Sequence, residues 1–89
     1  MSYRVFLHPK AADFLKKTEA NLRSRIKDSL KGLENSPQAK GQRLRDSRFL
    51  RKRIGDYRAI YMIDEEERRV TVLFIGHRRE VYDDFSRLL

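Results

Sequence analysis

Six residues in two short stretches have the side-chain types that phosphate chemistry uses. RKRIGDYR holds Arg51, Arg53 and Arg58, and GHRREVY holds His77, Arg78 and Tyr82. Arginine offers a rigid fork of donors to phosphate oxygens and keeps its charge. Several guanidinium groups in one groove repel one another unless an anion sits between them, so the set implies a phosphate-bearing polyanion. With a proton carrier in reach, the set also has the chemistry to cut the polyanion. Histidine suits proton transfer near neutral pH, which makes His77 a candidate acid or base. Tyr82 has two readings: proton carrier in an arginine-rich site, or filler of a core edge. The competing reading of the arginines is structural, each paired with a nearby acid at Asp46, Asp56, Glu65 or Glu80. No carboxylate or histidine pair has metal spacing, and no glycine-rich phosphate loop occurs. Neither a metal nor a cofactor is expected.

The charge distribution points the same way. The chain carries +8, and Lys40 to Arg58 holds eight basic residues against two acidic ones. Most of the excess therefore lies in one stretch, a pattern typical of a nucleic-acid or acidic-protein footprint. Lys40, Arg43, Arg45, Arg48 and Lys52 are the candidate nucleic-acid-binding residues around the arginine set. His8 precedes a proline far from this stretch and reads as a turn residue. Asp64 to Glu67 reads as a solvated hairpin.

The elements that must position these groups follow from periodicity. Tyr3–Leu7 is a β-branched and aromatic run, hence a strand, closed by His8-Pro9. Lys10–Lys17 reads as a short helix with Ala11, Phe14 and Leu15 inward, and proline suits its first turn. Leu22, Ile26, Leu30 and Leu33 form the stripe of a second amphipathic helix, its polar face carrying Arg23, Arg25, Lys27, Asp28 and Lys31. Glu19–Asn21 joins the two as an antiparallel hairpin, and Asn35, Ser36 and Pro37 end the second helix. Gln38–Ser47 reads as a loop. Phe49–Ile54, Tyr57–Ile63 and Arg69–Ile75 are strand-like, and their connections are too short for a crossover, so they form an antiparallel meander. The turn type at Gly55-Asp56 stays open, since the favoured order has glycine second. Glu80–Leu89 closes the chain as a short helix with Val81, Phe85, Leu88 and Leu89 inward.

Strand, helix hairpin, three strands and tail make an α+β fold, the helices gathered on one face of a mostly antiparallel sheet. The other face is expected to be open and polar. Alternation sends Phe49, Arg51 and Arg53 to that face, and Leu50 and Ile54 to the core. Lys52 then points coreward and must snorkel out at the sheet edge. Arg58 lies across the hairpin from Arg53 or Arg51, and Tyr82 follows Arg78 by one helical turn.

Eighty-nine residues suffice for one domain, 1–89, which buries only roughly 60–65% of its unfolded surface. Cysteine is absent, so disulfides and Cys-based zinc sites are excluded. The first residues are too polar for a signal peptide and no apolar run has membrane-span length. A cytoplasmic protein is expected.

RKRIGDYRAIY, VTVLFIGHRREVY and the preceding strand–helix–helix order resemble a toxin of the RelE/ParE superfamily across essentially the whole chain. The resemblance to the RelE-like branch implies a metal-independent endoribonuclease that cuts mRNA in the ribosomal A site. It implies a cognate RelB-like antitoxin that wraps the toxin, and a complex that binds operator DNA through the antitoxin. By motif, Arg51 and Arg53 match the basic pair on the first strand of the hairpin, and Arg58 the arginine after the motif tyrosine. Arg78 matches the arginine after the last strand, and Tyr82 the tyrosine of the tail. RelE-type enzymes often carry lysines at the strand pair where this chain has arginines, which are poor proton donors. Two other functions compete: a ParE-like gyrase poison acting through protein contacts, and a basic RNA- or ribosome-binding protein without chemistry.

Overall fold

The computed structural model describes residues 2–82. In chain order it contains β1 (Arg4–Leu7), α1 (Pro9–Lys16), α2 (Ala20–Lys31), β2 (Gln42–Arg43), β3 (Leu50–Ile54), β4 (Tyr57–Asp64) and β5 (Arg69–His77). Short 3-10 turns at Gly32–Glu34 and Pro37–Ala39 link α2 to β2. The sheet order is β1-β5-β4-β3-β2. β1 runs parallel to β5, and every other pair is antiparallel.

The helix hairpin is fixed by side chains that satisfy helix ends. His8 caps α1, its Nδ1 accepting the Lys10 N–H at 3.2 Å, and Pro9 takes the first turn. Glu19 caps α2 by accepting the Asn21 N–H at 2.6 Å. Arg23, on the second turn of α2, donates from Nε to the Leu15 carbonyl at 2.8 Å and from Nη2 to the Thr18 carbonyl at 2.6 Å. A cation therefore meets the carbonyls at the negative end of α1, where intrahelical partners run out. Ala11, Leu15, Ile26, Leu30 and Leu33 from the helical segments bury against Leu50, Ile54, Ala59, Tyr61, Val70, Val72 and Ile75. Tyr61 is fully buried, donates to the Pro37 carbonyl at 2.8 Å, and burial pushes its phenol up to about 12.

Three features differ from the sequence expectation. The segment read as a loop contains β2, two residues that pair with Arg51 and Leu50 and widen the sheet to five strands. Two residues are too few to show a period. β5 continues through Gly76 to His77, because cross-strand pairing with Arg58 and Tyr57 outlasts the apolar run. The second sheet face is not simply open and polar. It carries its own apolar cluster of Ile60, Phe74 and Val81, with Leu44, Phe49, Leu73 and Tyr82 packed on it. β4 is consequently buried from both sides over Arg58–Tyr61.

Glycine at position 55 has φ 61°, and it alone of the two central turn residues is positive. Glycine first is the II′ pattern, so the β3–β4 turn suits the sheet twist without the usual order. At the end of β5 the chain turns through residues 78–80 and enters helical geometry at Val81. Val81 Cβ lies 3.4 Å from where a side chain on Gly76 would begin, so the chain folds back across the second face. Of the expected closing helix, Glu80–Leu89, Val81 is buried as expected, and the part with Phe85, Leu88 and Leu89 lies outside the described residues. Among the described residues no helix is long and apolar enough to cross a membrane.

Candidate nucleic-acid site

Directly opposed residues of an antiparallel pair share a sheet side. Arg53 opposes Arg58, Arg51 opposes Ile60, and Arg58 opposes Gly76. Arg51, Arg53 and Arg58 therefore lie on the second face, as alternation predicts. Leu50 and Ile54 are buried on the helix side.

The three arginines are held differently. Arg51 donates from Nη1 to the Tyr82 hydroxyl at 2.8 Å and from Nη2 to Gln42 Oε1 in a short contact. Its Nε is buried with no acceptor among the described residues. Arg53 is exposed. Arg58 is only 6% exposed, and its Nη1 donates to the Gly55 and Tyr57 carbonyls, each at 2.8 Å. It binds the hairpin turn from beneath. Direct contact of that nitrogen with a ligand is not available, which changes the role expected for Arg58.

Arg78 is exposed beside the same turn, its backbone N–H donating to the Asp56 carbonyl at 2.9 Å. Arg25, assigned to the outer face of α2, also reaches this turn. Its Nη2 is 3.7 Å from where a side chain on Gly55 would begin. The polar stripe of an amphipathic helix gives no hint that one of its residues bends over a distant hairpin.

His77 is not brought among the arginines. It opposes Tyr57 on the helix side, where its ring stacks edge-on at 5.6 Å from the Tyr57 ring. Its Nδ1 accepts the Arg79 N–H at 3.3 Å. Strand alternation explains the correction. Because β5 extends past Ile75, His77 is a strand residue two positions on from Ile75 and shares its side.

The basic residues of the flanking segment divide. Lys40 joins Gly41, Gln42, Arg51 and Arg53 around a shallow cleft of about 260 Å³ at the β2–β3 edge. Arg43 opposes Leu50, so it projects from the helix side, and it donates to the Ser47 carbonyl at 3.2 Å. Arg45 lies 4.0 Å from Asp46, both nearly fully exposed. Arg48 stands 6.0 Å over the Phe49 ring and faces a separate cleft with Met62 and Glu65. Lys52 is half-buried on the helix side, where burial first and the nearby Lys40 second lower its pKa. The extended footprint is therefore not one continuous surface. Lys40 belongs to the arginine site, and Arg43, Arg48 and Lys52 lie elsewhere.

Among the described residues the site has no carboxylate counterion. The ion pairs among the described residues are Arg45–Asp46 and Arg69–Asp64, and neither involves Arg51, Arg53, Arg58 or Arg78. Two of the acids proposed as structural partners, Asp46 and Glu65, bond elsewhere. Glu65, for example, accepts from Tyr3 and Gln38 at 2.7 and 2.6 Å. No three His, Asp or Glu side chains gather as a metal site among the described residues. One site residue escapes the sequence reading, Gln42, which lies in a segment without period; Arg25 reaches the adjoining hairpin turn.

The helix hairpin packed on one face of a five-stranded sheet is the fold of RelE toxins, within the RelE/ParE superfamily. A family model for the ParE toxin of type II toxin–antitoxin systems, parDE, matches residues 5–82, and the chain belongs to that family. It is a toxin of a type II toxin–antitoxin system. The solved structures it resembles include RelE toxins, free and bound to RelB, and also a YoeB/ParE toxin from Agrobacterium tumefaciens. The toxin–antitoxin complex RelBE2 from Mycobacterium tuberculosis matches with 26% identity, 86% of this chain and 92% of that chain, at a TM-score of 0.80. The archaeal RelE–RelB complex from Pyrococcus horikoshii OT3 matches with 26% identity, 88% and 97% coverage, and a TM-score of 0.74. A mutant of the Escherichia coli toxin RelE in the free state, 24% identical, covers 100% of both chains at 0.80 and shares the fold. No curated protein matches the sequence.

Proposed function

We propose that this toxin is a metal-independent endoribonuclease that cuts mRNA in the ribosomal A site and so blocks translation in the cytoplasm. The observation that carries the reading is the Arg51–Tyr82 hydrogen bond beside Arg53, on a face whose guanidinium groups have no carboxylate partner among the described residues. Charge held ready without a counterion favours a transition state that gains negative charge.

RNA supplies the nucleophile. The 2′-oxygen attacks the adjacent phosphorus, its proton passes to a base, the bond to the 5′-oxygen breaks, and that oxygen takes a proton. The products are a 2′,3′-cyclic phosphate and a 5′-hydroxyl. Arg53 and Arg78, both exposed, neutralise the phosphorane oxygens. Arg58 adds its charge from under the hairpin turn while bonding the turn's carbonyls. Lys40 holds the backbone of the RNA at the cleft. Tyr82 is the proton carrier, steadied by Arg51, and His77 takes no part. Positioned acid–base groups give about 10²- to 10⁴-fold each. A site this sparse depends on the ribosome to align the attack, which can supply roughly 7–11 kcal/mol.

The partner that restrains the toxin is a cognate RelB-like antitoxin, as in the RelBE2 and RelE–RelB complexes it resembles, and operator DNA is bound through that antitoxin. The alternative is a gyrase poison, favoured by the ParE name of the matching family model. Purified toxin added to ribosomes programmed with a defined mRNA decides between them. Codon-positioned cuts ending in a cyclic or 3′ phosphate, with little cleavage of naked RNA, support the nuclease. Intact mRNA together with a DNA-damage response in expressing cells selects the gyrase poison.

A further inference from the structure

Gln42 lies directly across from Arg51 on β2 and grips the guanidinium at Nη2, while Tyr82 meets it at Nη1. One contact alone would leave the guanidinium plane free to turn about its long stem, and the hydroxyl bonded to it would drift with it. Two contacts from opposite sides fix the plane. Nε, a further donor of the fork, is buried with no acceptor among the described residues, where Gln42 and Tyr82 are the side chains that hold the group. A carboxylate at position 42 would grip as firmly but cancel the charge. An amide grips without cancelling it.

We propose that Gln42 is a positioning residue, acting through Arg51 on the Tyr82 hydroxyl; the role rests on the nuclease reading above. The fold places it deliberately. The chain reaches β2 by passing Gly41 against the Tyr61 hydroxyl and the Arg51 carbonyl, so close that a Cβ there would stand 2.7 Å from the carbonyl oxygen. Gln42 is exposed, so its replacement disturbs little packing.

The test is kinetic, on programmed ribosomes, with shape-preserving variants. Gln42→Met keeps the length and removes the acceptor. Its kcat should fall about 10- to 100-fold with KM unchanged, the cost of a misplaced catalytic group. Gln42→Glu restores the grip but neutralises Arg51, and its kcat should stay low. Full kcat in Gln42→Met, or a raised KM with kcat intact, overturns the positioning role while leaving the nuclease reading in place. Absence of cleavage by the wild-type protein overturns both. Nitrogen-edited NMR of the arginine side chains reads the grip without activity. Arg51 should show separate Nη resonances in the wild type and in Gln42→Glu, and an averaged signal in Gln42→Met. An averaged signal in the wild type overturns the clamp.

Discussion

The Arg51 guanidinium donates to the Tyr82 hydroxyl at 2.8 Å across 31 positions of chain. The contact exists only because two separate pieces of topology agree. β3 must present Arg51 on the second sheet face, and the chain after β5 must fold back over Gly76 to carry Tyr82 there. Tyr82→Phe separates what the hydroxyl does from what the ring does. The ring packs on the Ile60–Phe74–Val81 cluster and Phe preserves that. Ribosome-dependent cleavage should drop by about 10²- to 10⁴-fold, with the melting temperature nearly unchanged. Normal cleavage by the variant would assign Tyr82 to packing alone.

Arg78→Ala should relieve growth inhibition without harming the fold. The side chain is exposed and has no partner among the described residues. The backbone bond to the Asp56 carbonyl survives the substitution. Stability should therefore stay within about 0.5 kcal/mol of wild type. Undiminished toxicity at equal expression removes Arg78 from the reaction.

Gly41→Ala tests the seat of the β2 edge. The new methyl would lie 2.7 Å from the Arg51 carbonyl oxygen, backbone that cannot swing aside, as well as against the buried Tyr61 hydroxyl. Overpacking of this kind costs about 1–3 kcal/mol. A domain of this size then melts roughly 4–8 °C lower for each kcal/mol lost. Because β2 must shift, cleavage should fall too. An unchanged melting temperature would mean that the edge yields freely.

These variants mark how much was legible in advance. The arginine face was readable, because a two-residue period with Leu50 and Ile54 on one side leaves Arg51 and Arg53 on the other. The helix hairpin was readable from the Leu22–Ile26–Leu30–Leu33 stripe. Hydropathy does not place His77, because the apolar run ends at Ile75 while hydrogen bonding carries the strand on, and pairing leaves no trace in hydropathy. Alternation gives Arg58 its face but not its burial beneath the Gly55 and Tyr57 carbonyls it satisfies. Gln42 was invisible for a different reason. Its strand is two residues long, and its role depends on a partner nine positions away.

Glu65 carries a pH signature. Hydrogen bonds from Tyr3 and then Gln38 hold its carboxyl below the ordinary value of 4.5. A depressed acid contributes stability above its unfolded pKa and loses it as pH falls through the folded one. Glu65→Gln should therefore melt below wild type at neutral pH. The gap should close as the pH drops below the ordinary carboxyl range, since the wild-type group is then protonated as well. A gap of constant size across that range would show that the charge on Glu65 contributes nothing.

Lys52 carries the opposite signature. Burial, and then repulsion from Lys40, lower its pKa from the ordinary 10.5. Below the lowered value both states hold the proton, and the folded protein bears the whole cost of a half-buried charge. Between that value and 10.5 the unfolded state binds more protons, so stability rises with pH, and the cost is gone above it. Lys52→Met keeps the apolar stem against Leu50 and Ile54 and removes the charge. It should raise the melting temperature at neutral pH, with the advantage fading as pH climbs through the lysine range. Lys40→Gln should give a smaller gain of the same sign. The two gains should sum to more than the double variant shows, because one repulsion is counted in both. A Lys52→Met protein that melts lower than wild type would mean that the ammonium makes a favourable contact stronger than its desolvation.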